Sequence, residues 1–169
     1  VVTGGISLCF PTLWHGLLVV MVSVSPVADA SVLVVDDEEG VRSFLSRSLI
    51  RRGWAVETAG SAEDGAKLLD ATAFDLIILD IALPGKSGLE WLRELEDAGF
   101  AGEVILITAF ADMNTAIDAL RAGASDFVLK PFRVEQIVNA VDRCMERARL
   151  ARENFVLRRQ LGQLETPDS

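Results

Sequence analysis

Four apolar runs of this chain end in side chains that can handle charge. In FDLIILDIALPGKSG, Phe74 to Gly88, the run Leu76 to Leu79 leads straight into Asp80 and then stops at Pro84 and Gly85. SVLVVDD, Ser31 to Asp37, repeats the design with Asp36 and Asp37. The run from Glu103 closes on Thr108, and the run from Ser125 to Leu129 is followed by Lys130. Three carboxylates brought together repel one another unless a cation sits among them, and hard oxygen ligands of this kind suit Mg²⁺, which takes one or two carboxylates plus a phosphate and keeps several waters. A hydroxyl and a compact ammonium beside them are the groups that share the charge of phosphoryl oxygens. Each residue also has a plainer use: Asp80 can start the turn before Pro84, Asp37 can cap a helix, Thr108 can simply end a strand, and Lys130 can be an exposed lysine before a helix-starting proline. The joint recurrence at four of five strand ends favours the phosphoryl site.

The elements that would position these groups alternate regularly. Short apolar runs flanked by turn residues read as strands buried on both faces, the pattern of a parallel sheet covered by helices. Strands are expected at Ser31 onward, Trp54 to Ala59, Leu76 to Leu79, Glu103 to Thr108 and Ser125 to Leu129. The first helix carries Val41, Phe44, Leu45 and Leu49 at helical spacing and closes on Arg51, Arg52 and Gly53. Ser61 with Asp64 is a capping-box-like start for a second helix carrying Ala62, Ala66 and Leu69. Gly88 to Ala98 is a third, with Leu89, Leu92 and Leu95 inward, ending at Gly99. Asp112 caps a fourth, containing Ala116, Ile117 and Leu120 and ended by Gly123. A fifth starts at Arg133. Five alternations predict an α/β protein, a flavodoxin-like (βα)5 doubly wound parallel sheet of order 2-1-3-4-5 with an extended C-terminal helix. In such sheets ligands bind beyond the carboxyl ends of the strands, where strand order reverses.

Composition narrows the class. With 169 residues, half of them hydrophobic, the chain suits one core-bearing domain plus appendages. The net charge of −9 arises within residues 31–130, so the globular body offers nothing to a nucleic-acid backbone. Two cysteines, Cys9 and Cys144, make neither a disulfide framework nor a metal-ligand spacing, which places the chain in a reducing compartment, the cytoplasm. Residues 1–30 are apolar, lack Lys and Arg, and are interrupted by Pro11 and Pro26. They are too short in apolar run for a membrane span and lack the basic start of a secretory signal, so they are read as a disordered leader outside the domain, with Met21 as the natural start. His15 lies in this segment and is given no role.

With these motifs in order, Ser31 to Leu150 resembles the receiver domain of two-component response regulators. The resemblance implies that Asp80 is the phosphoacceptor for a sensor histidine kinase or phosphotransfer protein, and that Asp36, Asp37, Asp80 and the backbone carbonyl of Ala82 hold Mg²⁺, Asp37 directly. It further implies that Thr108 and Lys130 bind phosphoryl oxygens, that the Lys130–Pro131 bond is cis, and that Thr108 and Phe127 form a switch reshaping the face of the fourth helix, fifth strand and fifth helix. Receivers commonly use tyrosine where this chain has Phe127, and the chain contains no tyrosine at all. Such a protein is a signalling phosphoacceptor rather than an enzyme. Other classes fit less well. A haloacid-dehalogenase-type phosphatase needs a second acid at Ala82, and a dinucleotide-binding module needs a glycine-rich turn where DDEEG stands. A pseudo-receiver, folded alike but never phosphorylated, is the remaining alternative.

Residues 151–169 read as a helical or coiled-coil tail. ARLARENFVLRRQLGQLETPDS, from Ala148, resembles the linker between receivers and the ATPase of NtrC-type transcription activators, and is too short for an output domain. Leu150, Asn154, Leu157, Leu161 and Leu164 recur at spacings of four and three, with Asn154 where a buried amide favours two in-register strands and with Glu153 and Arg158 placed to pair between helices. The expectation is a homodimer with no membrane and no direct nucleic-acid contact.

Overall fold

The structure, a computed structural model, describes residues 30–109 and 113–164, except the side chains of 113–116 and 160–164. The leader, Cys9, His15, Asp112 and Ala116 therefore fall outside the residues or side chains described.

Ten elements alternate along the chain: β1 (Ser31–Val35), α1 (Glu39–Ile50), β2 (Ala55–Ala59), α2 (Ala62–Ala71), β3 (Leu76–Asp80), α3 (Gly88–Asp97), β4 (Glu103–Thr108), α4 (Met113–Arg121), β5 (Asp126–Leu129) and α5 (Val134–Leu164). The strands form one parallel sheet in the order β2-β1-β3-β4-β5, with the reversal of winding between β1 and β3. The predicted architecture is observed, and the starts of β2 and β5 move in by one residue.

Because every crossover is helical, the sheet is covered on both faces and separates two apolar compartments. Leu33, Val35, Ile77, Leu79 and Leu106 face α2, α3 and α4, where they meet Ala62, Trp91, Leu92, Leu95 and Ala119. Val32, Val34, Ile78, Ile105 and Ile107 face Leu45 and Leu49 of α1 and Ile137, Val141 and Cys144 of α5. β3 is buried at all five positions, so Asp80 is delivered from the most enclosed strand.

The helix starts follow local chemistry. Ser61 accepts a hydrogen bond from the Asp64 N–H at α2, and at α3 Ser87 and Glu90 form a reciprocal capping box. Of the apolar side chains read into the helices, Phe44, Ile117 and Leu120 are exposed, and the burial falls on Leu45, Leu49 and Ala119. A helix lying on a sheet buries a narrow stripe, so apolar residues at its shoulders stay wet. Trp91 is the buried centre of α3, with its ring against Gly65 of α2, a pairing the leucine spacing did not reveal. Leu89 is half-buried.

Candidate functional site

The carboxyl ends of β1, β3, β4 and β5 meet at one edge, and the predicted polar groups meet with them. Asp36, Asp80 and Thr108 are the buried polar or charged residues of the described chain, at 0%, 3% and 3% exposure. Lys130 reaches in from just beyond β5. Its Nζ lies 2.7 Å from Asp80 Oδ2 and 2.9 Å from Asp36 Oδ2. A backbone hydrogen bond secures that reach, the Lys130 N–H donating to the Thr108 carbonyl at 2.7 Å. The Lys130–Pro131 peptide is cis, as expected.

Each buried carboxylate has a second anchor. The Ala82 N–H donates to Asp80 Oδ1 at 3.0 Å, and the Glu38 N–H donates to Asp36 Oδ1 at 2.9 Å. Arg42 of α1 folds back so that one of its guanidinium nitrogens donates to the carbonyls of Asp36 (2.7 Å) and Asp37 (2.8 Å), fixing the turn between β1 and α1. Asp37 itself is exposed. Gly88, the first residue of α3, donates its N–H to the Ile81 carbonyl at 3.0 Å and passes so close to Asp80 that a side chain there would collide with the Asp80 carbonyl.

The electrostatics follow from burial against pairing. Burial pushes the Asp36 carboxyl above the usual carboxylate range, against the opposing pull of Lys130 and the Glu38 N–H. Burial also works against the Lys130 ammonium, but its hydrogen bonds to Asp80 and Asp36 and their charges together outweigh that cost and hold its pKa above the ordinary lysine value, so it stays charged at neutral pH. Carboxylate oxygens of Asp36, Asp37 and Asp80 lie within 4.8 Å of one another. Three hard anionic oxygens around so small a volume, with one lysine among them, fit a divalent cation.

The structure thus brings together Asp36, Asp37, Asp80, Ala82, Thr108 and Lys130. Phe127, three residues before the lysine, is half-buried and packs against the compartment of α2, α3 and α4. Sequence reasoning missed Glu38, Arg42 and Gly88, whose roles lie in contacts across turns. An arginine in the first turns of a helix that follows an acidic strand end is the one available cue.

A doubly wound sheet with acidic groups and a lysine gathered at its switch point defines a flavodoxin-like domain built to handle an anion at that edge. The chain belongs to the response regulator receiver family: the model of the response regulator receiver domain matches residues 32–142. Similar curated proteins are PetR of Rhodobacter capsulatus, 35% identical over 75% of this chain and 52% of that protein, and the regulatory protein AtoC of Escherichia coli, 33% identical over 72% and 26%. Among solved structures, NtrX from Brucella abortus matches with a TM-score of 0.72 and 33% identity over 76% of this chain and 29% of that one. A CheY-like receiver domain from Methanospirillum hungatei has the same fold, with a TM-score of 0.69 over 72% and 98% of the two chains. The chain spans about a quarter to a half of these two curated relatives. It is a receiver domain of two-component signalling.

Proposed function

We propose that the receiver accepts a phosphoryl group on Asp80 from the phosphohistidine of a sensor kinase or phosphotransfer protein, and that this modification switches the face formed by α4, β5 and α5. The observation that carries the reading is the Lys130 ammonium braced on both Asp80 and Asp36 at the strand ends. Asp80 attacks the phosphorus, the P–N bond to the donor imidazole breaks with its electron pair leaving on nitrogen, and a mixed carboxylic–phosphoric anhydride forms. Lys130 and Thr108 take phosphoryl oxygens, and Arg42 holds the loop that presents Asp37. Asp36, Asp37, Asp80 and the Ala82 carbonyl would hold Mg²⁺, which when bound neutralises charge on the transferred group. Beyond transfer onto itself and slow loss, no catalysis is assigned. The similar DrrB receiver domain is described as BeF₃-activated, and the same mimic should occupy Asp80 here. The test is incubation of the full chain with acetyl phosphate and Mg²⁺, read by intact mass. One added phosphoryl group is expected, and an unmodified mass refutes the reading.

Asp37→Ala should weaken Mg²⁺ binding by about tenfold or more, since it removes a direct ligand and even outer-shell losses cost that much. Calorimetric titration giving an unchanged affinity would refute its role as a ligand.

The switch is read as a population shift in which Thr108 and the Phe127 ring move inward. With no hydroxyl on the ring, its two positions differ by burial alone. The names of relatives such as AtoC and the C4-dicarboxylate transport transcriptional regulator DctD point to control of transcription as the downstream purpose.

The homodimer is proposed through α5. That helix runs to Leu164, and Leu150 (44%) and Leu157 (56%) are exposed on it. Asn154 Nδ2 donates to the Leu150 carbonyl at 3.0 Å, and Glu153 pairs with Arg149 of its own helix at 2.6 Å rather than being held for a partner. Exposed leucines at this spacing need a second helix to leave water. A chain ending at Leu150 should sediment as a monomer and the full chain as a dimer; two monomers at high micromolar concentration would exclude the pairing. Among the described residues no helix is long and apolar enough to cross a membrane.

A further inference from the structure

Lys130 has a third anionic neighbour, and it stands apart from the other two. Glu38 Oε1 lies 3.4 Å from Lys130 Nζ, yet the Glu38 side chain is 64% exposed, whereas those of Asp36 and Asp80 are 0% and 4% exposed. Asp36 and Asp80 thus hold the ammonium from inside, and Glu38 closes its solvent side. The backbone makes this placement firm, because the Glu38 N–H is itself bonded to Asp36 Oδ1. The depression in front of Lys130 is walled by Glu38, Gly40, Val41, Phe44, Ala109, Pro131 and Phe132, and Lys130 is the one cation among these lining residues. The nearby Arg42 is turned away onto the Asp36 and Asp37 carbonyls.

Resting on the phosphoacceptor reading, we infer that Glu38 biases donor preference: its carboxylate screens Lys130 from small free phosphodonors and so slows their transfer to Asp80 relative to that from a protein donor. A free dianion such as acetyl phosphate drawn toward the Lys130 ammonium beside Asp80 meets the Glu38 carboxylate 3.4 Å from that ammonium, and through largely aqueous surroundings one such charge changes the encounter severalfold. A protein donor offsets the same repulsion with contact area, for which the apolar walls Val41, Phe44, Pro131 and Phe132 are available. Glu38 touches no reacting atom in this arrangement. It acts by its charge, so its effect must fade with salt.

The test measures the initial rate of phosphoryl gain from acetyl phosphate by intact mass, in the full chain at saturating Mg²⁺, for wild type, Glu38→Gln and Glu38→Lys. At low ionic strength Glu38→Gln should label about three- to tenfold faster and Glu38→Lys faster still, and the gap should close as salt shortens the reach of the charge. Magnesium titrations of all three keep metal occupancy equal. Equal rates at low salt overturn the inference, as does a gap that persists unchanged at high salt, which would mark Glu38 as a purely structural residue. Failure of the wild type and both variants alike to label overturns the Asp80 assignment beneath it, an outcome distinct from either of these.

Discussion

Asp80→Asn should abolish phosphoryl gain entirely while leaving a folded protein. The side chain keeps its volume in a site where Asp80 is 3% exposed, but the amide is no nucleophile. Asp80 now accepts two hydrogen bonds, from Lys130 Nζ at one oxygen and from the Ala82 N–H at the other. Asparagine has one acceptor and one donor to offer, so one of these donors loses its partner, at a cost of about 1 kcal/mol or somewhat more. Relief of repulsion among Asp36, Asp37 and Asp80 works in the opposite direction. The melting temperature should therefore move by only a few degrees. A hydroxylamine-labile, Mg²⁺-dependent phosphate on the variant would remove Asp80 from the mechanism.

Among the described glycines, Gly88 should be the one where an added methyl does the most damage, as Gly88→Ala. Its added Cβ would fall within bonding-like contact of the Asp80 carbonyl oxygen and 2.9 Å from the Asp80 carbonyl carbon, and both are backbone atoms that cannot rotate away. Either α3 lifts off or the peptide after Asp80 shifts, and overpacking of this kind costs about 3 kcal/mol. The sign is informative, because glycine to alanine in a helix ordinarily stabilises by about 1 kcal/mol. Gly40→Ala, where the new methyl meets nothing within 4 Å, supplies that comparison in α1. Denaturant melts should separate the two variants, and Gly88→Ala should also label with phosphoryl more slowly because Ala82 and Asp80 move together. Equal stability of both variants would show that the close approach is relaxed in solution.

The sheet was legible because runs such as Leu76 to Leu79 and Val32 to Val35 are apolar at consecutive positions, which only a strand covered on both faces tolerates. The polar edge was legible for the same reason: a carboxylate that ends such a run has one place to be. Helix faces were less so. Phe44 and Leu45 are neighbours, and both fit a 3.6-residue stripe until the sheet chooses Leu45. Glu38, Arg42 and Gly88 gain their importance from atoms across a turn, which periodicity does not register. Expectations for Asp112 and the leader fall outside the described residues.

The sparse burial along residues 117–121 of α4 bears on how cheaply the domain can respond to a signal. Of the described α4 side chains, residues 117–121, Ala119 alone is buried, and Ile117 and Leu120 face water. A helical stretch that buries one methyl over five residues forfeits little solvation free energy there when it tilts or opens, so local opening of that stretch lies at the inexpensive end of the range that a folded domain spans. A single modification at the neighbouring strand ends then needs only a small differential affinity to redistribute it. A helix such as α3, with Trp91, Leu92 and Leu95 buried, would by contrast exact several large buried side chains for the same movement. Responsiveness in this fold is thus a matter of where packing was withheld.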